Sequence, residues 1–277
     1  MTDPLGCHTD MSDSVAGVVL AAGAARRLQP ISAVVPKPLC PVGNRSLLDR
    51  AIGRLRGVCA DVAVNVHHHA EAIIDAVADQ GVHVSHELPE ALGTAGAIGA
   101  LRGWIGARGV AVVNADTFCV GDMAVLARGW DQSTVRLWVP GGGPFGPRSP
   151  VVGCLLPNEA VSVLDATPSG LYELVWRDWN AAGRVEVIAF EGPFVDCGTP
   201  RRLLEANMLT LENTAAVAAD AVVRGCVEAS VVGAGARIEG SVVGSVVFPG
   251  AVVHAHERLD RAIRYGGGGR PLTVMVR

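Results

Sequence analysis

The chemistry available to this chain is concentrated in a few short runs. Leu20-Ala-Ala-Gly-Ala-Ala-Arg-Arg-Leu28 follows directly on the apolar stretch Val15–Leu20. A strand ending in a glycine-containing turn exposes consecutive backbone N–H groups, which can cradle phosphate oxygens. Leu20, Ala21, Ala22, Gly23, Ala24 and Ala25 make that turn, and Arg27 adds a guanidinium able to grip a polyphosphate bidentately. The same residues also describe an ordinary strand-to-helix turn with a solvated arginine. Further on, Pro36-Lys-Pro-Leu-Cys-Pro41 sets Lys37 between two prolines that hold its backbone extended. A rigidly presented ammonium suits a phosphoryl group on which negative charge develops, and a bare Pro-Lys-Pro is otherwise a loop spacer. Val112-Val-Asn-Ala-Asp116 carries Asp116 at the end of an apolar run, as a functional carboxylate or as a helix N-cap. His67, His68 and His69 are consecutive, so on a strand or turn they point apart, which argues against a shared metal.

These groups need a scaffold, and the hydrophobic pattern supplies one. Val15–Leu20, Val62–Val66, Val82–Ser85, Gly109–Asn114 and Val135–Val139 have the short apolar character of buried strands. Between them Ser46–Leu55, Glu71–Ala78, Thr94–Trp104 and Met123–Trp130 have helical spacing. Such alternation predicts βαβ units, that is, an α/β fold with a mostly parallel sheet flanked by helices. Ligands in these sheets bind beyond the carboxyl ends of strands near a topological switch point, where the first turn and Asp116 both fall. Gly141–Ser149 reads as a loop, and Pro200–Leu211 as a closing helix.

The last part changes character. Written in fifteens from Val217, Val217, Val232 and Val247 align, as do Val223, Ile238 and Val253, and Ala221, Ala236 and Ala251. Columns of this kind predict a short hexapeptide-type, left-handed parallel β-helix rather than a set of hairpins. The expected division is a lead-in over 1–14, a main domain over 15–212, and a β-helix with tail over 213–277. The open end of so short a coil favours a homodimer.

Composition narrows the function. The net charge is −4 and no basic run occurs, which argues against a nucleic-acid partner. Seven cysteines are scattered without a CxxC pair, as expected of reduced thiols in a cytoplasmic protein. No apolar run approaches the roughly 20 residues of a membrane span, and no signal peptide opens the chain.

Leu20–Val42, LAAGAARRLQPIS…PKPLCPV, resembles the signature LAAGxGxRLxPxT…PKPLxPV of the sugar-1-phosphate nucleotidyltransferases (NDP-sugar pyrophosphorylases). Ala25 stands where that family has its second glycine. Leu92-Gly-Thr-Ala-Gly-Ala97 is similar to the family's LGTAGA, Asn114-Ala-Asp116 to its N-G/A-D, and Phe194-Val-Asp-Cys-Gly-Thr-Pro200 to its W-x-D-I-G-T-P. The resemblance spans about residues 15–212 and implies a Rossmann-like fold. It implies that Gly93, Thr94 and Ala95 lie against base and ribose, with Glu87 (or Glu90) reading the base. It also implies that Asp116 and Asp196 hold Mg²⁺, the cofactor. Nucleoside triphosphate and sugar 1-phosphate are then the substrates, with Arg27 and Lys37 as catalytic residues. The family's Glu-Lys-Pro, whose lysine anchors the sugar phosphate, has no counterpart here. Arg148 is the cation of the Gly141–Ser149 loop, and Asn114, Glu173 and Arg177 are the candidate sugar contacts. LGTAGA with the β-helix points towards guanylyl transfer onto mannose 1-phosphate or a related sugar; VNVHHHAEAI points towards uridylyl transfer onto an amino-sugar phosphate. Two other readings are a catalytically silent regulatory paralogue and a hexapeptide acyltransferase using His254 or His256.

Overall fold

Val15–Leu20 pairs with a strand on each side and is buried along nearly its whole length, as an unbroken apolar run demands. The computed structural model describes residues 11–212, 215–266 and 271–276. Its main sheet contains β1 (Val15–Leu20), β2 (Val62–Val66), β3 (His83–His86), β4 (Gly109–Asn114), β5 (Val135–Pro140), β6 (Gly153–Leu156) and β7 (Val185–Phe190). They lie in the order β7-β5-β6-β4-β1-β2-β3. Every pairing is parallel except those of β6, which runs against both β4 and β5. The chain builds outward from β1 through β2 and β3, then returns to the other side of β1 with β4. That reversal is a topological switch point, and the carboxyl ends of β1, β2 and β4 open onto it together.

The helices follow the expected periodicity with adjusted ends. Ser46 caps Leu47–Leu55, its hydroxyl accepting from the Asp49 N–H at 2.9 Å, and Leu47, Leu48, Ala51, Ile52 and Leu55 pack into the core. Met123–Trp130 reduces to the short helix Ala124–Ala127, and Thr94–Trp104 divides into Gly93–Ala100 and Arg102–Ile105. Of the expected lead-in, Met11–Ser14 is a helical turn running straight into β1, and residues 1–10 lie outside the described residues.

From Ala215 to Tyr265 the chain winds through three sheets in which successive coils pair in parallel. The fifteen-residue step is seen in the pairings of Val217 with Val232, Val223 with Ile238, and Val232 with Val247. The last coil is longer by two residues, since Val253 pairs with Ile238 but Arg258 pairs with Ser241. The extra residues therefore fall in the corner around His254–Glu257. Arg264 continues the column of Val232 and Val247 and is buried. Its guanidinium donates to the Val252 carbonyl at 3.1 Å and to Glu257 at 2.6 Å, so a charge-assisted cap ends the apolar column. The antiparallel strand Leu272–Met275 covers the edge of Ala262–Tyr265. The first coil, by contrast, leaves Val217, Val222 and Val223 exposed.

The coil is not an appendage. Val231, Val246, Ile263 and Tyr265 share one core cluster with Leu203 and Leu204 of helix Pro200–Met208, and with Leu28, Cys40 and Val42. The coil thus packs against the segment that carries Lys37.

Val253 is 0% exposed and Val223, in the same column two coils away, is 41% exposed. Val253→Ala should cost about 2 kcal/mol in urea unfolding, and Val223→Ala less than about 1 kcal/mol. Equal costs would show that the first coil is covered in solution.

Candidate functional site

Beyond β1 the chain turns through Ala21–Ala25 into a 3₁₀ turn at Arg26–Leu28. The Ala21 N–H donates to Asn65 Oδ1 at 2.7 Å. Among the described residues, the N–H groups of Ala22, Gly23, Ala24 and Ala25 have no intramolecular acceptor. They form a row of donors at the open end of β1, available to an anion. Ala25 adopts the left-handed conformation, φ 49°, ψ 35°, which explains why glycine suits this position. Its carbonyl is held by the Leu28 N–H at 3.0 Å and the Ser32 hydroxyl at 2.9 Å. The methyl therefore leaves the turn intact at the cost of a locally unfavourable φ.

Lys37 opens a 3₁₀ turn after Pro36 and is only 6% exposed. Its ammonium lies 2.9 Å from Asp116 Oδ2 and 3.3 Å from Asp196 Oδ1. Arg27 reaches the other oxygen of Asp196 at 3.3 Å. The two carboxylates come from segments far apart in sequence. They are aligned by a ribbon in which Thr117–Cys119 runs antiparallel to Phe194–Asp196, and the Cys197 N–H donates to the Asp116 carbonyl at 3.1 Å. A Cβ on Gly198 would stand 2.9 Å from both Arg27 Nη2 and Asp196 Oδ1, so a side chain there would have to displace these two charged groups. Asn207 fixes the Lys37 segment from behind. Its side chain donates to the Pro41 carbonyl and accepts from the Gly43 N–H, both at 3.0 Å.

The donor set suits a hard divalent cation. Two half-exposed carboxylates converge on one cationic group, and Mg²⁺ takes one or two carboxylates together with phosphate oxygens. The neighbouring thiols are not reactive groups. Burial pushes Cys197 up to about 12 and holds Cys40 above the ordinary thiol range.

The opposite wall is Ala91, Gly93 and Thr94, at the start of helix Gly93–Ala100. This helix packs directly on backbone. A Cβ on Gly96 would approach the Thr167 carbonyl to 2.2 Å, and the Ala95 N–H donates to the Ser169 carbonyl at 3.0 Å. The Thr94 hydroxyl accepts from the Leu171 N–H at 2.8 Å. The glycines of LGTAGA thus have a packing role that their resemblance to a binding motif does not reveal.

A single cleft is lined by Leu20–Gly23, Ala25, Arg27, Lys37, Gly93, Thr94, Asn114 and Asp116 from the sequence-derived set. Ala24 and Ala95 do not line it, and Ala95 is fully buried. Asp196 borders it through Lys37 and Arg27. Glu87 does not face it, because both its carboxylate oxygens are engaged inside the protein. Glu173 and Arg177 also stay outside, and Arg177 pairs instead with Asp178 at 2.8 Å. Of the three histidines, His67 Nδ1 donates to the Glu87 carbonyl at 2.9 Å and His68 Nδ1 to the Ala22 carbonyl at 3.1 Å. They brace loops rather than share a ligand. Sequence reasoning missed Arg26 and Asn65, both of which line the cleft. Arg26 has no ion-pair partner among the described residues. Its signal was its place beside Arg27, and that of Asn65 its place near the carboxyl end of a predicted strand.

Known proteins bear on what such a cleft does. Residues 17–224 match the family model described as the MobA-like NTP transferase domain. The chain is 32% identical over 228 residues to an N-acetylmuramate alpha-1-phosphate uridylyltransferase of Caulobacter vibrioides, covering 69% of this chain and 94% of the relative. It is 33% identical over 86 residues to a mannose-1-phosphate guanyltransferase of Pichia angusta, covering 29% and 24%. A crystal structure from Thermus thermophilus, described as a mannose-1-phosphate geranyltransferase, shares the fold with TM-score 0.62 over 95% of each chain at 18% identity. With three quarters of its length matched by the family model, this chain belongs to the MobA-like NTP transferases.

Proposed function

We propose that the chain joins a nucleoside triphosphate to a sugar 1-phosphate, giving a nucleoside diphosphate sugar and pyrophosphate, in the cytoplasm. The observation that carries this is the meeting of Lys37, Asp116 and Asp196 beside a row of free backbone donors at the switch point. That arrangement neutralises phosphate charge from several directions and supplies no nucleophile of its own. None is needed, because the sugar phosphate is already anionic and its oxygen attacks the α-phosphorus as pyrophosphate leaves on the opposite side.

The chain's own groups then have distinct tasks. The N–H groups of Ala22, Gly23 and Ala25 and the Arg27 guanidinium bind the triphosphate. Lys37 lies against the reacting phosphoryl group and offsets the charge that develops there. Asp116 and Asp196 would hold Mg²⁺, which when bound offsets charge on the α-phosphate and the leaving group. Gly93 and Thr94 bound the base and ribose side. Arg26, in the cleft and free of any carboxylate among the described residues, is the cation best placed to take over from the missing lysine anchor.

Two base assignments each have support. The relative that matches along nearly its whole length is named a uridylyltransferase acting on an amino-sugar phosphate, which favours UTP here. The Pichia relative, named a guanyltransferase, together with LGTAGA favours GTP and mannose 1-phosphate. Left-handed winding of the coil, and a homodimer formed through its exposed first turn, complete this reading.

Pyrophosphate release should appear with one pairing of UTP, GTP, dTTP, ATP or CTP and a sugar 1-phosphate. Nucleotide binding with silence for every pairing would favour a regulatory protein instead. Lys37→Ala should lower kcat by about 10²–10³-fold while leaving thermal unfolding cooperative. Near-normal turnover in that variant would remove Lys37 from the mechanism.

A further inference from the structure

Glu87 is 2% exposed and carries a carboxylate with no cation against it among the described residues. Its Oε1 accepts from Asn65 Nδ2 at 2.7 Å, and its Oε2 accepts from the Leu92 N–H at 2.8 Å. Asn65, also 2% exposed, uses its Oδ1 to accept from the Ala21 N–H at 2.7 Å. The result is a continuous chain of hydrogen bonds, from Ala21 at the start of the donor turn to Leu92 at the start of the opposite wall. Ala21 and Asn65 line the cleft, and Leu92 immediately precedes Gly93 and Thr94, which also line it.

The chain can be satisfied in only a few ways. Both ends are backbone N–H donors, and each needs an acceptor. A side-chain amide presents one accepting atom and one donating atom, whereas a carboxylate presents two accepting atoms. One amide plus one carboxylate satisfies every contact. Two amides leave one contact unmatched whichever way they are flipped, and two carboxylates leave oxygen facing oxygen. Unmatched buried polar groups carry the full desolvation cost, so the arrangement is strongly fixed.

We infer that Asn65 and Glu87 are a positioning pair that sets the spacing between the two walls of the nucleotide cleft, and that its requirement is hydrogen-bond polarity rather than a charge at position 87. This inference rests on the nucleotide-binding reading of that cleft. Neither residue is a catalytic group; each acts through Ala21 and Leu92. His67 and His68 reinforce the pair by holding the Glu87 and Ala22 carbonyls.

Reversing the order of the two groups separates hydrogen-bond polarity from charge. Glu87→Gln alone pairs two amides, and Asn65→Asp alone pairs two carboxylates. In the double variant Asn65→Asp/Glu87→Gln, the new carboxylate at position 65 would accept from Ala21 and from the new amide at position 87. The oxygen of that amide would accept from Leu92. Two quantities are measured for all four proteins: the dissociation constant of the nucleotide that supports turnover, and hydrogen exchange of the Ala21 and Leu92 amides without nucleotide. Each single variant should bind about tenfold or more weakly and exchange faster at both amides. The double variant should return to within about threefold of the parent, with both amides protected again. Single variants that fail to fold alongside a double variant that folds and binds would support the same conclusion. Singles indistinguishable from the parent, or a double no better than the worse single, would overturn it. If no nucleotide binds the parent, the functional reading fails, and the exchange pattern still decides the polarity claim.

Discussion

Two carboxylates, an ammonium and a guanidinium meet at one point, and no single stretch of the chain could bring them there. Lys37 stands between Asp116 and Asp196, and Arg27 takes the remaining side of Asp196. Holding Lys37 almost fully buried is costly unless its charge is matched, so the carboxylates must be placed well. The rest of the architecture can be read as the means of placing them. The sheet delivers Asp116 just past the carboxyl end of β4, one strand from the donor turn after β1. The Thr117–Cys119 and Phe194–Asp196 ribbon then brings the second carboxylate into register with the first.

Support for the ammonium comes from an unexpected direction. The Pro36–Pro41 segment is short and has little regular structure, so its position depends on what lies behind it. Asn207 grips the Pro41 carbonyl and the Gly43 N–H from the closing helix. That helix is packed in turn against Val231, Val246 and Ile263 of the parallel coil. The coil therefore acts as a buttress for the charged cluster, whatever its part in assembly. The donor turn has a separate support, the hydrogen-bonded chain through Asn65 and Glu87. The site is thus braced from two sides that do not share residues.

Much of this is legible in the sequence, and what escapes has definite physical causes. The apolar runs from Val15 to Val139 predict the sheet strands, because buried strands leave a strong one-dimensional signal. The fifteen-residue columns of valine and alanine predict the coil, whose stacking is local. Arg27, Lys37 and Asp116 are identifiable because their backbone contexts are distinctive. Glu87 reads as a base contact, yet its carboxylate is buried and turned away from the cleft. Sequence shows a carboxylate in a polar loop, and only the fold shows both its oxygens spoken for. Arg264 escapes because an arginine at an inward-facing coil position looks like a break in the pattern, whereas here it closes the column. The antiparallel direction of β6 and the longer last coil are likewise beyond reach, since neither leaves a periodic mark.

Direct transfer is the central claim, at a site that neutralises charge and offers no protein nucleophile. The stereochemical course at the α-phosphorus tests it most directly, using a nucleoside triphosphate made chiral there by sulfur substitution and analysing the nucleoside diphosphate sugar formed. A single in-line displacement predicts inversion of configuration. Retention would mean two displacements through a covalent nucleotidyl-protein, and would contradict the role assigned here to Lys37, Asp116 and Asp196.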